Sequence, residues 1–369
     1  MIDRSIAPAI KAVDTLYLHK PIIHTLDNNI PVYEINMGSQ QVIKLELIFK
    51  AGRWHEKEKH IAKATSQLLK TGSLKNDAEQ MANFFEYHGA TLSINDGFNT
   101  TNIQLYCLSK HLKTLLPMLH ELLFEPAFSE KELKKFIKLN QQNLKVQLKK
   151  NDVVAYRLFT EKLFGDNHPY GYNSTVSSYK KISRAKIITH FQENYTANNC
   201  TIIIAGKVPE DTIPLLNKHF GPLPVKAKQP VLIPEIPAME NTSPFQQVVS
   251  QGSLQASIRI GRRTFNRDHP DYDQLYMTNM VLGGYFGARL MQNLRERNGF
   301  TYGVYSSMET MRNSGYWYIH TDVGIDVKDA KFFSADLERS RIVIELNKGI
   351  EDIKLVATVL MNNIKPEDY

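Results

Sequence analysis

Ile43, Leu45, Leu47 and Phe49 fall on every second residue, with Lys44 and Glu46 between them. A period of two puts the four on one face of a strand, so Val42–Lys50 reads as a strand, preceded by another over Ile30–Ile35. The period then lengthens. Ile61, Ala64, Leu68 and Leu69 share one helix face, and Ala78, Met81 and Phe85 share the face of a second helix. Strand-like runs return at Ala90–Ile94 and Ile103–Leu108. Two longer helices follow, one carrying Leu112, Leu115, Leu116, Leu119 and Leu122, the other Leu133, Phe136, Leu144 and Leu148. Ser129 with Glu132 three residues on predicts a capping box at the start of the second of these. After a further helical stretch, Thr201–Ala205 reads as a buried strand.

The order then begins again. Gln247–Ser250 and Leu254–Ile260 read as strands. Tyr272, Leu275, Tyr276 and Met280 lie on a helix, and Ala288–Arg297 form another. Tyr302–Met308 and Tyr316–Asp322 return as strands, and the pattern turns helical after Asp326. Between the two rounds, prolines at 230, 234, 237 and 244 predict an extended linker. The expected fold is α+β, with two similar domains, each a mainly antiparallel sheet covered by helices on one face. The expected boundaries are 1–225 for the first domain, 226–244 for the linker and 245–369 for the second.

Composition agrees with this size. The chain has 369 residues, of which 42% are hydrophobic and 22% charged, enough for two or three domains with proper cores. The net charge of +7 permits attraction to acidic partners. The lysines are spread over helical stretches without interleaved aromatics, so a solvated basic surface is expected and no nucleic-acid site. Cys107 and Cys200 both sit in apolar strand-like runs and read as buried thiols, neither a disulfide nor a metal pair. The start of the sequence has no apolar region of signal-peptide length, and no stretch approaches the ~20 apolar residues of a membrane span. A cytoplasmic protein with no membrane partner is expected, or a periplasmic one if a targeting segment has been removed.

The chemistry concentrates in Leu294–Tyr302, L-R-E-R-N-G-F-T-Y, which closes a helix opened by Gly283-Gly284. Arg295 stands at the helix end and Tyr302 on the strand that follows. A guanidinium and a phenol converging there can hold a peptide carbonyl and stabilise the oxyanion formed when it is attacked. They supply neither nucleophile nor metal. A plainer reading is also open: Arg295 in a surface ion pair and Tyr302 packed in the sheet. The histidines offer no ligand set. His55 and His60 flank a charged run and would point about 140° apart on a helix, as solvated surface residues. His88, His111 and His120 lie singly on helices and match no ligand spacing. Gly283-Gly284-Tyr285-Phe286-Gly287 lacks dinucleotide-loop spacing and reads as a turn between helices.

Several stretches, taken in order, resemble the insulinase/pitrilysin family, especially its shorter members related to mitochondrial processing peptidase and the respiratory core subunits. They are A-G-R-W-H-E at 51–56, L-L-K-T-G-S at 68–73, H-P-Y-G at 168–171, and V-L-G-G-Y-F-G-A-R-L at 281–290 leading into L-R-E-R-N-G-F-T-Y. Active members carry an inverted zinc motif, His-x-x-Glu-His, on the first helix of the first domain, with a third, glutamate ligand roughly 75 residues later. The resemblance puts this motif on Lys63-Ala64-Thr65-Ser66-Gln67. Lys63 and Gln67 then stand for the histidines, Ser66 for the base, and Gln141 or Gln142 for the distant glutamate. An ammonium, a hydroxyl and neutral amides are poor substitutes for zinc ligands. The pattern keeps Arg295 and Tyr302, however. The resemblance therefore implies the metal-free subunit of a heterodimeric zinc peptidase: no cofactor in this chain, and zinc in a homologous partner subunit. Arg295 and Tyr302 would act on a peptide substrate held by that partner. Thr91, Ser93 and Asn95 lie on the strand that family members offer to an extended peptide, where backbone pairing could add the substrate; ordinary sheet pairing is the equal alternative. The competing implication is a structural or peptide-binding homologue with no peptidase role, like the respiratory core subunits. The family's second domain also continues through two long helices, so a missing segment near Asp329–Phe332, or cover by a partner chain, is expected.

Overall fold

The computed structural model describes residues 17–226 and 254–324. The first of these segments forms a six-stranded sheet in the order β1-β2-β6-β3-β5-β4. Its strands are β1 (Ile22–Thr25), β2 (Pro31–Asn36), β3 (Val42–Phe49), β4 (Thr91–Asp96), β5 (Thr101–Leu108) and β6 (Cys200–Gly206). Every pairing is antiparallel except β2 with β6. The alternation in β3 does what a period of two requires. Ile43, Leu45, Leu47 and Phe49 are buried under the helices, and Glu46 on the other face is held by Asn102 Nδ2 (2.9 Å), Gln104 Nε2 (2.8 Å) and Lys44 Nζ (2.6 Å).

The helical cover consists of α1 (Ile61–Leu69), α2 (Ala78–Tyr87), α3 (Leu112–Phe124), α4 (Glu130–Gln147), α5 (Asn151–Phe164), α6 (Arg184–Asn194) and α7 (Thr212–Phe220). Leu112, Leu115, Leu116, Leu119 and Leu122 of α3 are buried, as their spacing predicts. The expected capping box at Ser129 does not form: its side chain makes no cap bond, and α4 begins instead with Glu130 and Glu132 in its first turn, where the helix dipole favours them. A capping box is found on α2, where Asp77 Oδ1 accepts from Gln80 N and Gln80 Oε1 from Asp77 N, both at 2.9 Å. β1 has no counterpart in the sequence reading, because its four residues Ile-Ile-His-Thr give no legible alternation.

In the second segment, β7 (Gln255–Thr264), β8 (Thr301–Thr310) and β9 (Gly315–Gly324) form an antiparallel sheet in the order β7-β9-β8. One face is covered by α8 (Tyr272–Asn279) and two π-helical segments, Met280–Gly284 and Met291–Arg297. Gly283 lies so close to β8 that a Cβ there would stand 2.6 Å from Ser306 N, so the turn between these helices needs a glycine at that point. The expected strand Gln247–Ser250, the linker beyond 226 and the helix after Asp326, with the region Asp329–Phe332, lie outside the described residues.

The two segments meet along α5, which packs against β7. There Trp54, Leu163, Phe164 and Tyr170 share one apolar cluster with Met311 and Tyr316. Among the described residues, no helix is long and apolar enough to cross a membrane. Cys107 and Cys200 are buried free thiols, as their apolar surroundings predict.

Candidate functional site

Helix α1 packs against α4, α6 and β4, and β4 is the edge strand of its sheet. The positions matched to the zinc motif therefore lie beside the strand matched to peptide binding. His60 opens α1 in a left-handed conformation (φ 76°) and gives no side-chain cap. Glu56 caps the helix from outside: its Oε2 accepts from Ala62 N at 2.9 Å. Its other oxygen accepts from the Tyr172 hydroxyl. Burial pushes the Glu56 carboxyl up to about 7.

The expectation that His60 is a solvated surface residue fails. It is 2% exposed, stacked on Tyr179 with ring centres 4.5 Å apart, and hydrogen-bonded to Ser178 Oγ at 2.8 Å. Burial lowers its pKa to about 4, so it is a neutral core histidine. His88 and His120 meet backbone carbonyls, Phe84 O at 2.8 Å and His219 O at 2.6 Å.

Lys63 and Gln67 lie one turn apart on α1, both half-buried. Ser66 is fully enclosed; its hydroxyl is within hydrogen-bond distance of Lys63 O (2.9 Å) and Asp96 Oδ1 (3.3 Å). Of the two distant candidates, Gln142 is exposed, whereas Gln141 is half-buried and donates to Val176 O at 2.8 Å. This donor set does not fit zinc. Lys63 brings a positive charge, the Ser66 hydroxyl is engaged with its own helix and Asp96, and the Gln141 amide is engaged elsewhere. No described group of three or more His, Cys, Asp or Glu side chains is arranged to hold a metal.

On β4, Thr91 and Asn95 are exposed, and Ser93 is half-buried with its hydroxyl 3.4 Å from Gln104 Oε1. One edge of β4 pairs with β5, from Thr91 opposite Tyr106 to Asp96 opposite Thr101. Its other edge pairs with no described strand.

The structure brings Arg295 and Tyr302 together. The Arg295 guanidinium lies 5.0 Å from the Tyr302 ring and 4.7 Å from that of Phe286. Its Nε is 3.6 Å from Glu296 Oε1. Tyr302 is 87% exposed, so the reading in which it packs in the sheet fails. Arg295 stands in a π-helical segment, a distortion that often marks functional positions. Among the described residues, no hydrogen bond, ion pair or ring contact links the pair to α1 or β4. Phe286, the second wall of the cation's clamp, belongs in sequence to the Gly283–Gly287 turn, and its spacing gives no sign of that role.

Two of the motifs that mark the resemblance also meet. Arg53 Nη1 donates to Pro169 O at 3.2 Å, across 116 residues of sequence. Trp54 lies 4.9 Å from the Tyr170 ring and 5.3 Å from that of His168. Gly171 completes the turn because a Cβ there would stand 2.2 Å from Gly165 O.

Comparison with known proteins agrees with this architecture. Residues 32–169 match the insulinase family (peptidase family M16), and residues 181–331 match the peptidase M16 inactive domain. The chain is 23% identical over 305 residues to the uncharacterized zinc protease YmxG of Bacillus subtilis, covering 82% of this chain and 73% of that one. An uncharacterized zinc protease of Mycobacterium bovis is 32% identical over 162 residues, covering 43% of this chain and 36% of its own length. A Helicobacter pylori relative called a non-peptidase homolog is 26% identical over 278 residues, covering 73% of this chain and 62% of its own. Among solved structures, a protease from Helicobacter pylori superposes with a TM-score of 0.78 at 16% identity, covering 88% of this chain and 79% of that one. The peptidase M16 inactive domain from Pseudomonas fluorescens gives 0.73 at 23% identity, covering 87% and 77%. With both halves matched in order and the fold shared, the chain belongs to the insulinase (M16) peptidase family.

Proposed function

We propose that this chain is the zinc-free subunit of a two-chain peptidase, presenting Arg295 and Tyr302 to a peptide carbonyl held on a homologous partner. The observation that carries this reading is the contrast between two sites in one molecule. On α1, Lys63, Ser66 and Gln67 replace every group that could bind zinc or activate water. In the second segment, a half-buried guanidinium and an exposed phenol stand together, and burial does not explain the phenol. The guanidinium supplies fixed positive charge and the phenol an O–H donor. Both stabilise negative charge that develops on a carbonyl oxygen, at little cost in reorganisation because Arg295 is already held between two rings. The substrate would be an extended peptide, which the free edge of β4 can accept by backbone pairing through Thr91–Asn95.

A second reading is a binding or structural homologue with no part in cleavage. The Helicobacter pylori relative called a non-peptidase homolog favours it. One experiment separates the two. The chain is mixed with a His-x-x-Glu-His homologue from the same source and cleavage of an unstructured peptide is followed. Activation of the partner is expected, and Tyr302→Phe or Arg295→Ala should remove about 100-fold of the gain, as loss of one oxyanion donor does. Variants that activate as well as the wild type would refute the role given to the pair. Absence of any activation would favour the binding reading.

A further inference from the structure

At the seam between the two segments lies a cavity of about 180 Å³ that the motifs build but the proposed peptidase role does not use. It is smaller than the ~300–1,000 Å³ typical of drug-sized ligands, so it suits a small ion better than a nucleotide or a peptide. Two guanidinium groups line it, Arg53 from the end of the first hairpin and Arg157 from α5. Both are fixed. Arg53 is held between the rings of Tyr172 (4.3 Å) and Phe98 (5.0 Å), with Nη1 on Pro169 O. Arg157 donates through Nη2 to Ser174 O. Each therefore spends one of its five N–H groups on a backbone carbonyl.

No acid lines the cavity, and neither arginine has a carboxylate at ion-pair distance among the described residues, although Glu161 acts on Arg157 and Glu56 on Arg53 from further off. The two acids nearby are occupied. Glu56 accepts from Tyr172 and Ala62, and Glu161 accepts from Asn173 Nδ2 at 2.9 Å. Two cations facing one small space repel each other, and an anion between them removes that cost while matching the fork of each guanidinium. Tyr156 and Tyr316 add a further donor. Their hydroxyls bond to each other across the seam, and only one proton is used in that bond.

We infer that this cavity binds a small, multiply charged oxyanion of the phosphate class, held by Arg53 and Arg157 and touched by the Tyr156–Tyr316 pair. Because Tyr316 comes from β9 and the arginines from the first segment, the anion ties the two halves together. Neither a partner chain nor the Arg295–Tyr302 pair takes part in this site.

The test is calorimetric titration of the full chain with inorganic phosphate, sulfate and succinate, with ionic strength held constant by chloride. Saturable binding of about one phosphate per chain is expected. Arg157→Gln should raise Kd at least about tenfold, since it removes one of the two cationic donors facing the cavity. Tyr316→Phe keeps the ring and should weaken binding several-fold, so the inference can be judged even if Arg157→Gln does not fold. No saturable phosphate binding to the wild type would overturn the inference. So would unchanged affinity in Tyr316→Phe, or tighter binding of succinate than of phosphate.

Discussion

Glu56 offers a prediction whose sign and size both follow from its surroundings. Its carboxyl caps α1 through Ala62 N and accepts from Tyr172, and burial raises its pKa to about 7. In the unfolded chain a glutamate titrates near about 4.3. The folded state thus holds this proton over a range where the unfolded state has lost it. The resulting stability is fully present below the unfolded pKa and is lost as pH rises through 7. At about 1.4 kcal/mol per pH unit, the full span is worth about 4 kcal/mol, of which about 2 kcal/mol falls between about pH 5.5 and pH 8.5. His60 and His190 act in the opposite sense. Burial lowers both to about 4, so their contribution is present above about pH 6.5 and is lost as pH falls through 4. They are common to the wild type and Glu56→Gln, which cannot titrate at this position and keeps an oxygen for Ala62 N. Urea unfolding of both proteins across that window isolates Glu56. The wild type should lose about 2 kcal/mol relative to the variant between the acid and alkaline ends. A difference that stays flat, or that changes in the wild type's favour as pH rises, would refute the assignment of a neutral buried carboxyl.

Two further predictions are cheaper to check. Gly171→Ala sets a Cβ 2.2 Å from Gly165 O, so the backbone of the H-P-Y-G turn must shift, and the urea midpoint should fall by an amount corresponding to about 1–3 kcal/mol. Cys107 and Cys200 are each only 4% exposed, and burial raises both thiols, Cys107 to about 11. Alkylation followed by mass spectrometry at neutral pH should therefore leave both unmodified in the folded protein and label both in denaturant.

Much of the first sheet could be read in the chain because its signals are local. The alternation at Ile43–Phe49 and the leucine spacing of α3 report burial on one face, and burial is what the structure shows. What could not be read depends on distant partners. The run H-E-K-E-K-H from His55 to His60 looks like a charged surface loop, yet His60 is buried by Tyr179 and Ser178, more than 110 residues later in sequence. Arg53 and the H-P-Y-G turn were visible as motifs, but nothing in either stretch says that Arg53 reaches Pro169 O or that both border one cavity. Ser129 and Glu132 have capping-box spacing without the bonds, whereas Asp77 and Gln80 form both. The motif permits a cap; the approach of the preceding chain decides whether it forms. Likewise, the helical pattern over Ala288–Arg297 does not distinguish α from π winding, which rotates Arg295 relative to its neighbours.

The contrast between α1 and the Arg295–Tyr302 pair has a physical logic that bears on function. A glutamate at position 66 would place a second carboxylate beside Asp96, whose Oδ1 is 3.3 Å from the Ser66 hydroxyl. Two carboxylates that close repel each other unless a cation stands between them. A serine there removes the repulsion and satisfies its hydroxyl locally, so the α1 site has settled into a stable arrangement of its own. The second site differs. Tyr302 buries little of its surface, and the long contact of half-buried Arg295 with exposed Glu296, at 3.6 Å, is of the surface kind that contributes at most about 1 kcal/mol. Packing therefore gives little reason for a phenol and a guanidinium to stand together at that place. A surface able to bind a developing negative charge, the role proposed for the pair, would give one.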